Sequence, residues 1–137
     1  MKLKNTATDD NFWAMVADMG WAANGYDYEA IDRKATERLI AEYGEQQAAE
    51  IGGQISRACM QKEHDLRQVI CRHPLYRNMY GDGLDDFVAH IVGLGREYYE
   101  QVMADPTVAK DLDYQESFAY CFHGIGSIGR YNTAEEE

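Results

Sequence analysis

Leu84-Asp85-Asp86-Phe87-Val88-Ala89-His90-Ile91-Val92-Gly93-Leu94-Gly95-Arg96-Glu97-Tyr98-Tyr99-Glu100-Gln101-Val102-Met103 is the stretch whose reading decides the fold. Its apolar positions are Leu84, Phe87, Val88, Ile91, Val92, Gly95, Tyr98, Tyr99 and Val102. They recur every three or four residues, the period of one helix face. The spacing predicts a long helix from 84 or 85 to about 103, with Asp85 and Asp86 favourable in its first turn. So wide a stripe marks the central and most buried helix of a core.

Outward from this stretch the same period repeats. Asp9 or Asp10 can cap a helix carrying Phe12, Met15, Val16 and Met19, closed by Gly20, Asn24 and Gly25. A second helix follows Asp27 with Ile31, Ala35, Leu39, Ile40 and Tyr43 on one face, and Gly44 stops it. A third begins near Glu45 and aligns Ala48, Ile51, Ile55, Ala58 and Cys59. Gly52 and Gly53 inside it each disfavour helix by about 1 kcal/mol, which points to a neighbour packed closely there. Residues 63–83 read as the least regular part, with a short helix over 65–71 ended by His73-Pro74. Asp105 and Pro106 open a short helix bearing Val108 and Leu112. A last helix over 114–122 sets Phe118, Cys121 and Phe122 on one side, and a glycine-rich loop follows. Strand signals are almost absent. The expectation is an all-α fold of six or seven helices with irregular connections, one domain over 1–137, frayed at 1–8 and 132–137.

Composition narrows the functional classes. The 137 residues are 45% hydrophobic and 27% charged, ordinary for a globular chain and unlike a disordered one. No apolar run approaches a membrane span, and no leader pattern opens the sequence. The 24 acidic residues outnumber 13 basic ones, for a net charge of −11, which disfavours nucleic acid and anionic membrane as partners. Cys59, Cys71 and Cys121 are an odd set without a leader, so reduced thiols and a cytoplasmic location are expected.

The central stretch also carries a likeness. Asp82 and Gly83 ahead of Leu84, then Phe87, Gly95, Arg96 and Tyr99, with Ala104-Asp105-Pro106 after them, resemble the pattern DGF..F..W.I..GR..F and Asp-Pro of an uncharacterised bacterial family. Asn11-Phe12-Trp13-Ala14-Met15-Val16 is similar to that family's Phe-Trp opening. The likeness covers about residues 10 to 125. The chain departs from it at Val88, where the family carries arginine, and at His90, where it carries tryptophan. The resemblance implies structural roles for Phe12, Trp13, Phe87, Gly95 and Arg96, and it implies no reaction. Arg96 reads as a clamp on neighbouring carbonyls or a carboxylate, and as an anion ligand second.

Four constellations bear on chemistry. Gly124-Ile125-Gly126-Ser127-Ile128-Gly129 spells a dinucleotide fingerprint but lacks the preceding strand and following helix that give it meaning. Cys71-Arg72-His73 and Cys121-Phe122-His123 hold the four ligand types of a zinc site at an unfavourable spacing. No resident metal or cofactor is expected. Asp82, Asp86 and His90 stand four apart on one helix face, where they would serve as an acid–base or metal cluster in a small enzyme or metal-dependent hydrolase. The same acids otherwise only favour a helix start.

The fourth is a patch. Arg57, Lys62, Arg67, Arg72 and Arg77 make residues 57–81 mildly basic between two acidic blocks. Within it Tyr76, Arg77 and Tyr80 interleave aromatic and guanidinium groups in a segment that Pro74, Gly81 and Gly83 keep irregular, so their side chains should project. Ten tyrosines, including Tyr26, Tyr28 and Tyr131 in loops, add to that surface. The favoured function is therefore a non-catalytic acidic helical protein binding another protein, a basic one, through Tyr76, Arg77, Tyr80, Asp82, Asp85 and Asp86. A bacterial or phage immunity, anti-toxin or anti-defence accessory role fits it, and self-association stays open. The enzyme is the alternative. A third class, small-molecule sensing, would need a pocket between the last two helices.

Overall fold

The computed structural model describes residues 8–116 and 118–128. Among these residues there are six α-helices and no strand. They are α1 (Thr8–Met19), α2 (Tyr28–Tyr43), α3 (Glu45–Arg72), α4 (Gly81–Gly93), α5 (Arg96–Ala104) and α6 (His123–Gly126). Three 3₁₀ turns, Pro74–Tyr76, Pro106–Ala109 and Phe118–Tyr120, complete the connections. The expected ends at 1–7 and 129–137, with Gly129 and Tyr131, lie outside the described residues.

Several elements follow from their own chemistry. The Asp27 carboxylate accepts from the Ala30 N–H at 3.1 Å and starts α2. Gly44, at φ 78°, ends α2 where an L side chain would be strained. Asp9 and Asp10 sit inside the first turn of α1 rather than capping it, and they receive Lys62 and Arg96. Asp105 accepts from the Thr107 N–H and hydroxyl at 3.1 and 2.7 Å. The helix it opens is a single 3₁₀ turn, shorter than its sequence suggests.

Two expectations are corrected. The region after Glu63 is not irregular: α3 runs unbroken to Arg72, roughly 42 Å by the rise per residue. Leu66 and Ile70 extend the buried stripe of Ala48, Ile55, Ala58 and Cys59, while the polar run around Gln61 and His64 faces outward and masks the period. This helix, not the one after Gly83, is the spine, for it packs against each of the other five. The second correction concerns the long helix, which breaks at Leu94-Gly95 into α4 and α5. Gly95 adopts φ 112°, and the chain turns there before restarting at Arg96. The first half keeps the expected burial: Leu84 and every residue from Phe87 to Gly93 are buried. Tyr99 and Val102 carry the core face of α5.

The C-terminal segment also differs from expectation. In place of a helix over 114–122 there is a 3₁₀ turn, then the short α6 within the glycine-rich run. Phe118, Cys121 and Phe122 are nonetheless buried, and Phe118 meets Trp21 edge-on at 5.3 Å. Trp13 packs on Tyr99 at 5.1 Å and Phe12 on Phe122 at 6.2 Å, so the Phe-Trp opening belongs to the same core.

Close approach explains two glycines. A Cβ on Gly52 would lie 2.1 Å from the carbonyl oxygen of Ile125, and one on Gly93 would lie 2.5 Å from the Phe118 ring. Gly93→Ala therefore displaces Phe118 and Trp21 and should destabilise by about 1–3 kcal/mol. Gly83→Ala, where the nearest neighbour is the Tyr114 hydroxyl at 3.8 Å, should be neutral or stabilising by up to about 1 kcal/mol. Urea unfolding of the pair is the measurement. Equal stabilities would show that Phe118 is not seated against α4.

Candidate functional site

The segment after α3 leaves an open groove. Pro74 follows His73, whose ring accepts from the Leu75 N–H at 3.2 Å, and together they turn the chain away from the helix axis. The chain then runs through Tyr80, extended at φ −156°, before α4 begins at Gly81. Opposite lies the stretch after the Pro106–Ala109 turn. Between the two is a cavity of about 470 Å³, lined chiefly by Leu75, Met79, Tyr80, Phe87, Leu112 and Tyr114, with Lys110 at its edge. Tyr80 is 81% exposed and Leu75 50% exposed, large apolar areas for side chains beside a concavity.

Tyr76 does not project. It is 6% exposed, its ring lies 5.5 Å from Phe87, and its hydroxyl donates to the Pro106 carbonyl at 2.5 Å. It forms the floor of the groove and ties the two walls together. Arg77 and Tyr80 are exposed as the sequence suggests. Leu75, Met79, Lys110, Leu112 and Tyr114 are groove residues that the sequence reading passed over. Their signal was present in apolar residues standing alone among turn formers and acids, as Leu112 does between Asp111 and Asp113.

The groove has acidic neighbours in sequence. Burial raises the Asp86 carboxyl, and the charges of Glu116, Asp82 and Asp85 raise it further. Burial likewise raises the Tyr76 phenol, with Tyr98, Asp105 and Asp111 adding to it. Glu116, Asp82 and Asp85 thus gather around Asp86, and Asp105 and Asp111 lie near Tyr76. Asp85 is drawn aside by Arg67, with Nε 2.9 Å from its carboxylate.

The Asp82, Asp86, His90 series passes from surface to interior: Asp82 is exposed, Asp86 half-buried and His90 2% exposed. The Nδ1 of His90 accepts from the Trp21 indole at 3.0 Å and from the Gln115 N–H at 3.2 Å. Burial lowers its pKa, and two donors on one nitrogen require the neutral ring. His90 thus joins α4 to the loop after α1 and to the segment before Phe118.

The two Cys-x-His pairs are not brought together, and among the described residues no group of three or more His, Cys, Asp or Glu side chains is arranged to hold a metal. Cys71 lies in the last turn of α3, while Cys121 and His123 flank the chain that crosses α3 at Gly52, roughly 28 Å back along the helix. His73 spends its Nδ1 on the turn, and burial pushes the Cys121 thiol far up. Arg96 does clamp carboxylates, Glu100 at 3.0 Å and Asp10 at 3.2 Å, joining α5 to α1 at the surface. An exposed pair of this kind contributes little stability.

An all-helical domain with an open apolar groove is what the geometry defines. The chain belongs to the family described as a protein of unknown function, DUF4240, which it matches over residues 7–130. No curated protein and no solved structure matches it. Among the described residues no helix is long and apolar enough to cross a membrane.

Two titrations follow from this packing. Glu63 accepts from the Cys59 thiol at 3.2 Å, and burial, with Asp85 nearby, pushes it up to about 6 from an ordinary 4.5. The folded protein therefore binds a proton there that the unfolded chain has released, so its stabilising contribution is full below pH 4.5 and is lost as pH rises through about 6. Glu63→Gln keeps the acceptor and should stabilise by about 1–2 kcal/mol at pH 7, a gain that fades toward pH 4.5. His90 has the opposite sign, for its lowered value favours the fold above the ordinary histidine range and weakens it as pH falls through that range. His90→Ala strands the Trp21 and Gln115 donors and should remove about 2–4 kcal/mol at pH 7. Denaturation across pH distinguishes the two, and no stability difference between Glu63→Gln and the unmodified protein from pH 4.5 to pH 7 would place the Glu63 carboxylate in water.

Proposed function

We propose that the protein is a non-catalytic binding module whose groove between residues 75–80 and 110–114 docks a basic segment of another protein. The observation that carries this is an open apolar cavity walled by Leu75, Tyr80, Leu112 and Tyr114, with Asp82 and Asp111 next in sequence to its lining residues Gly83 and Leu112. An apolar anchor would fill the cavity, and flanking lysine or arginine side chains would meet these carboxylates. Tyrosine suits the role because it buries large area at little entropic cost. Arg77 and Lys110 add direction, favouring a partner whose positive charge is concentrated toward the Asp82 end. The overall charge of −11 would hasten encounter with such a partner, and that acceleration would fade with salt. A bacterial or phage accessory role, such as neutralising a basic toxin or obstructing a defence complex, is the setting we assign to it.

The enzyme alternative has less support. Its histidine spends Nδ1 on two donors in the core, while Asp82 is exposed and Asp86 only half-buried.

Selection of random peptides displayed on phage tests the binding reading. Enriched peptides should carry an aromatic or branched apolar anchor flanked by Lys or Arg. Leu75→Ser with Tyr80→Ala should weaken them at least about tenfold, roughly 1.4 kcal/mol, without loss of helical circular dichroism. Asp82→Lys with Asp86→Lys should chiefly slow association. Acidic or uncharged consensus peptides, or affinity unchanged by the groove variants, would refute this reading.

A further inference from the structure

A second cavity, of about 560 Å³, opens where α6 crosses α3. Its lining is chemically unlike the groove. Asp32 of α2, Ser56, Arg57 and Met60 of α3, and His123 and Ser127 of the C-terminal turn face one space. Glycines make this arrangement possible. A Cβ on Gly124 would strike the Asp32 carboxylate at 2.7 Å, and one on Gly126 would strike the Ser56 hydroxyl at 2.8 Å. One turn before Arg57, Gly53 leaves room for the guanidinium to fold back, with Nη1 3.3 Å from where its Cβ would stand.

The charges here are asymmetrically used. Asp32 accepts from the Gly124 N–H at 2.7 Å, while burial raises its pKa and His123 lies near enough to lower it. Arg57 has no carboxylate partner among the described residues, and the Ser56 and Ser127 hydroxyls make no hydrogen bond there. One cation without a partner, one anchored anion, two hydroxyls and an apolar Met60 therefore share a cleft of small-ligand size. A simple oxyanion would gain Arg57 but face the Asp32 charge. A neutral sugar would leave both charges unneutralised and would find no flat aromatic platform beyond His123.

We infer that this cleft binds a small zwitterion of the free amino-acid class. Its carboxylate pairs with Arg57 and the two serine hydroxyls, its ammonium faces Asp32, and its side chain rests on Met60. Guanidinium–carboxylate pairing in fork geometry gives such a site direction as well as affinity. The inference is independent of the groove, which lies on other elements.

The test is calorimetric titration of the full chain with each standard free amino acid. At least one should bind with Kd about 1 mM or tighter. Its N-acetyl and methyl-ester forms, each lacking one charge, should both bind at least about tenfold more weakly. Arg57→Ala should cause a similar loss, as should Asp32→Asn, which keeps an acceptor for the Gly124 N–H and so preserves the turn. Thermal midpoints of the unliganded variants check the fold, and Arg57→Ala, at an exposed position, stands alone if Asp32→Asn unfolds. The inference is overturned if no free amino acid binds, if a blocked form binds as well as its parent, if inorganic phosphate or acetate binds equally, or if Arg57→Ala leaves affinity unchanged.

Discussion

Close approach to bare helix at two glycines, by aromatic rings at Gly93 and by a backbone carbonyl at Gly52, is the constraint on which the rest of the structure depends. The chain near Phe118 can lie against α4 only because Gly93 has no side chain, and Ile125 can lie against α3 only because Gly52 has none. Those contacts accompany Gln115 at His90, Phe118 on Trp21 and α6 against α2 and α3. With this segment in place, the Gln115 N–H and the Trp21 indole converge on His90, and a buried imidazole becomes the fitting acceptor. The stretch before that segment is anchored at Pro106 by Tyr76 and meets α4 through Tyr114 on Phe87, and the groove is the space left between it and residues 75–80. One local property, the absence of a Cβ at two places, thus sets both the closure of the core and the opening beside it.

Much of this was legible in sequence. The helix period of Ile31, Ala35 and Leu39, the Asp27 cap and the Gly44 stop read directly because each is a local interaction. The paired glycines of α3 rightly announced a close neighbour but could not name it, since Ile125 lies far along the chain. The stripe from Leu84 to Val102 concealed its own break. Periodicity records which residues are apolar and not whether the backbone between them stays helical, and Gly95 counted as a small face residue while it adopts φ 112°. The opposite error hid the second half of α3, where outward-facing polar residues diluted a stripe that Leu66 and Ile70 sustain.

The candidate site was half legible for the same reason. Tyr80 and Arg77 are exposed because the irregular segment presents them, as Pro74 and Gly81 suggest. Tyr76 looked equivalent to them in sequence, yet a distant carbonyl takes its hydroxyl and Phe87 takes its ring. The groove's far wall, Leu112 and Tyr114, belongs to a stretch without period or motif, where only tertiary structure gives apolar residues a purpose. His90 shows how spacing misleads: three positions at four-residue intervals share a face, but the helix enters the core along its length, so Asp82 meets water and His90 meets indole. The division is physical. Residues whose roles are set by neighbours in the chain can be read, and those set by neighbours in space cannot.

The central claim is that the groove concentrates binding that net charge alone would spread over the surface. Chemical-shift mapping tests it most directly, using labelled protein titrated with a short peptide of alternating arginine and leucine at low and at physiological salt. The account predicts saturable shifts centred on Leu75, Tyr80, Lys110, Leu112 and Tyr114 that persist at physiological salt, with weaker changes at Asp82 and Asp86 that fade. Shifts distributed over all the acidic faces, including the exposed carboxylates of α2, and lost together as salt rises would contradict it.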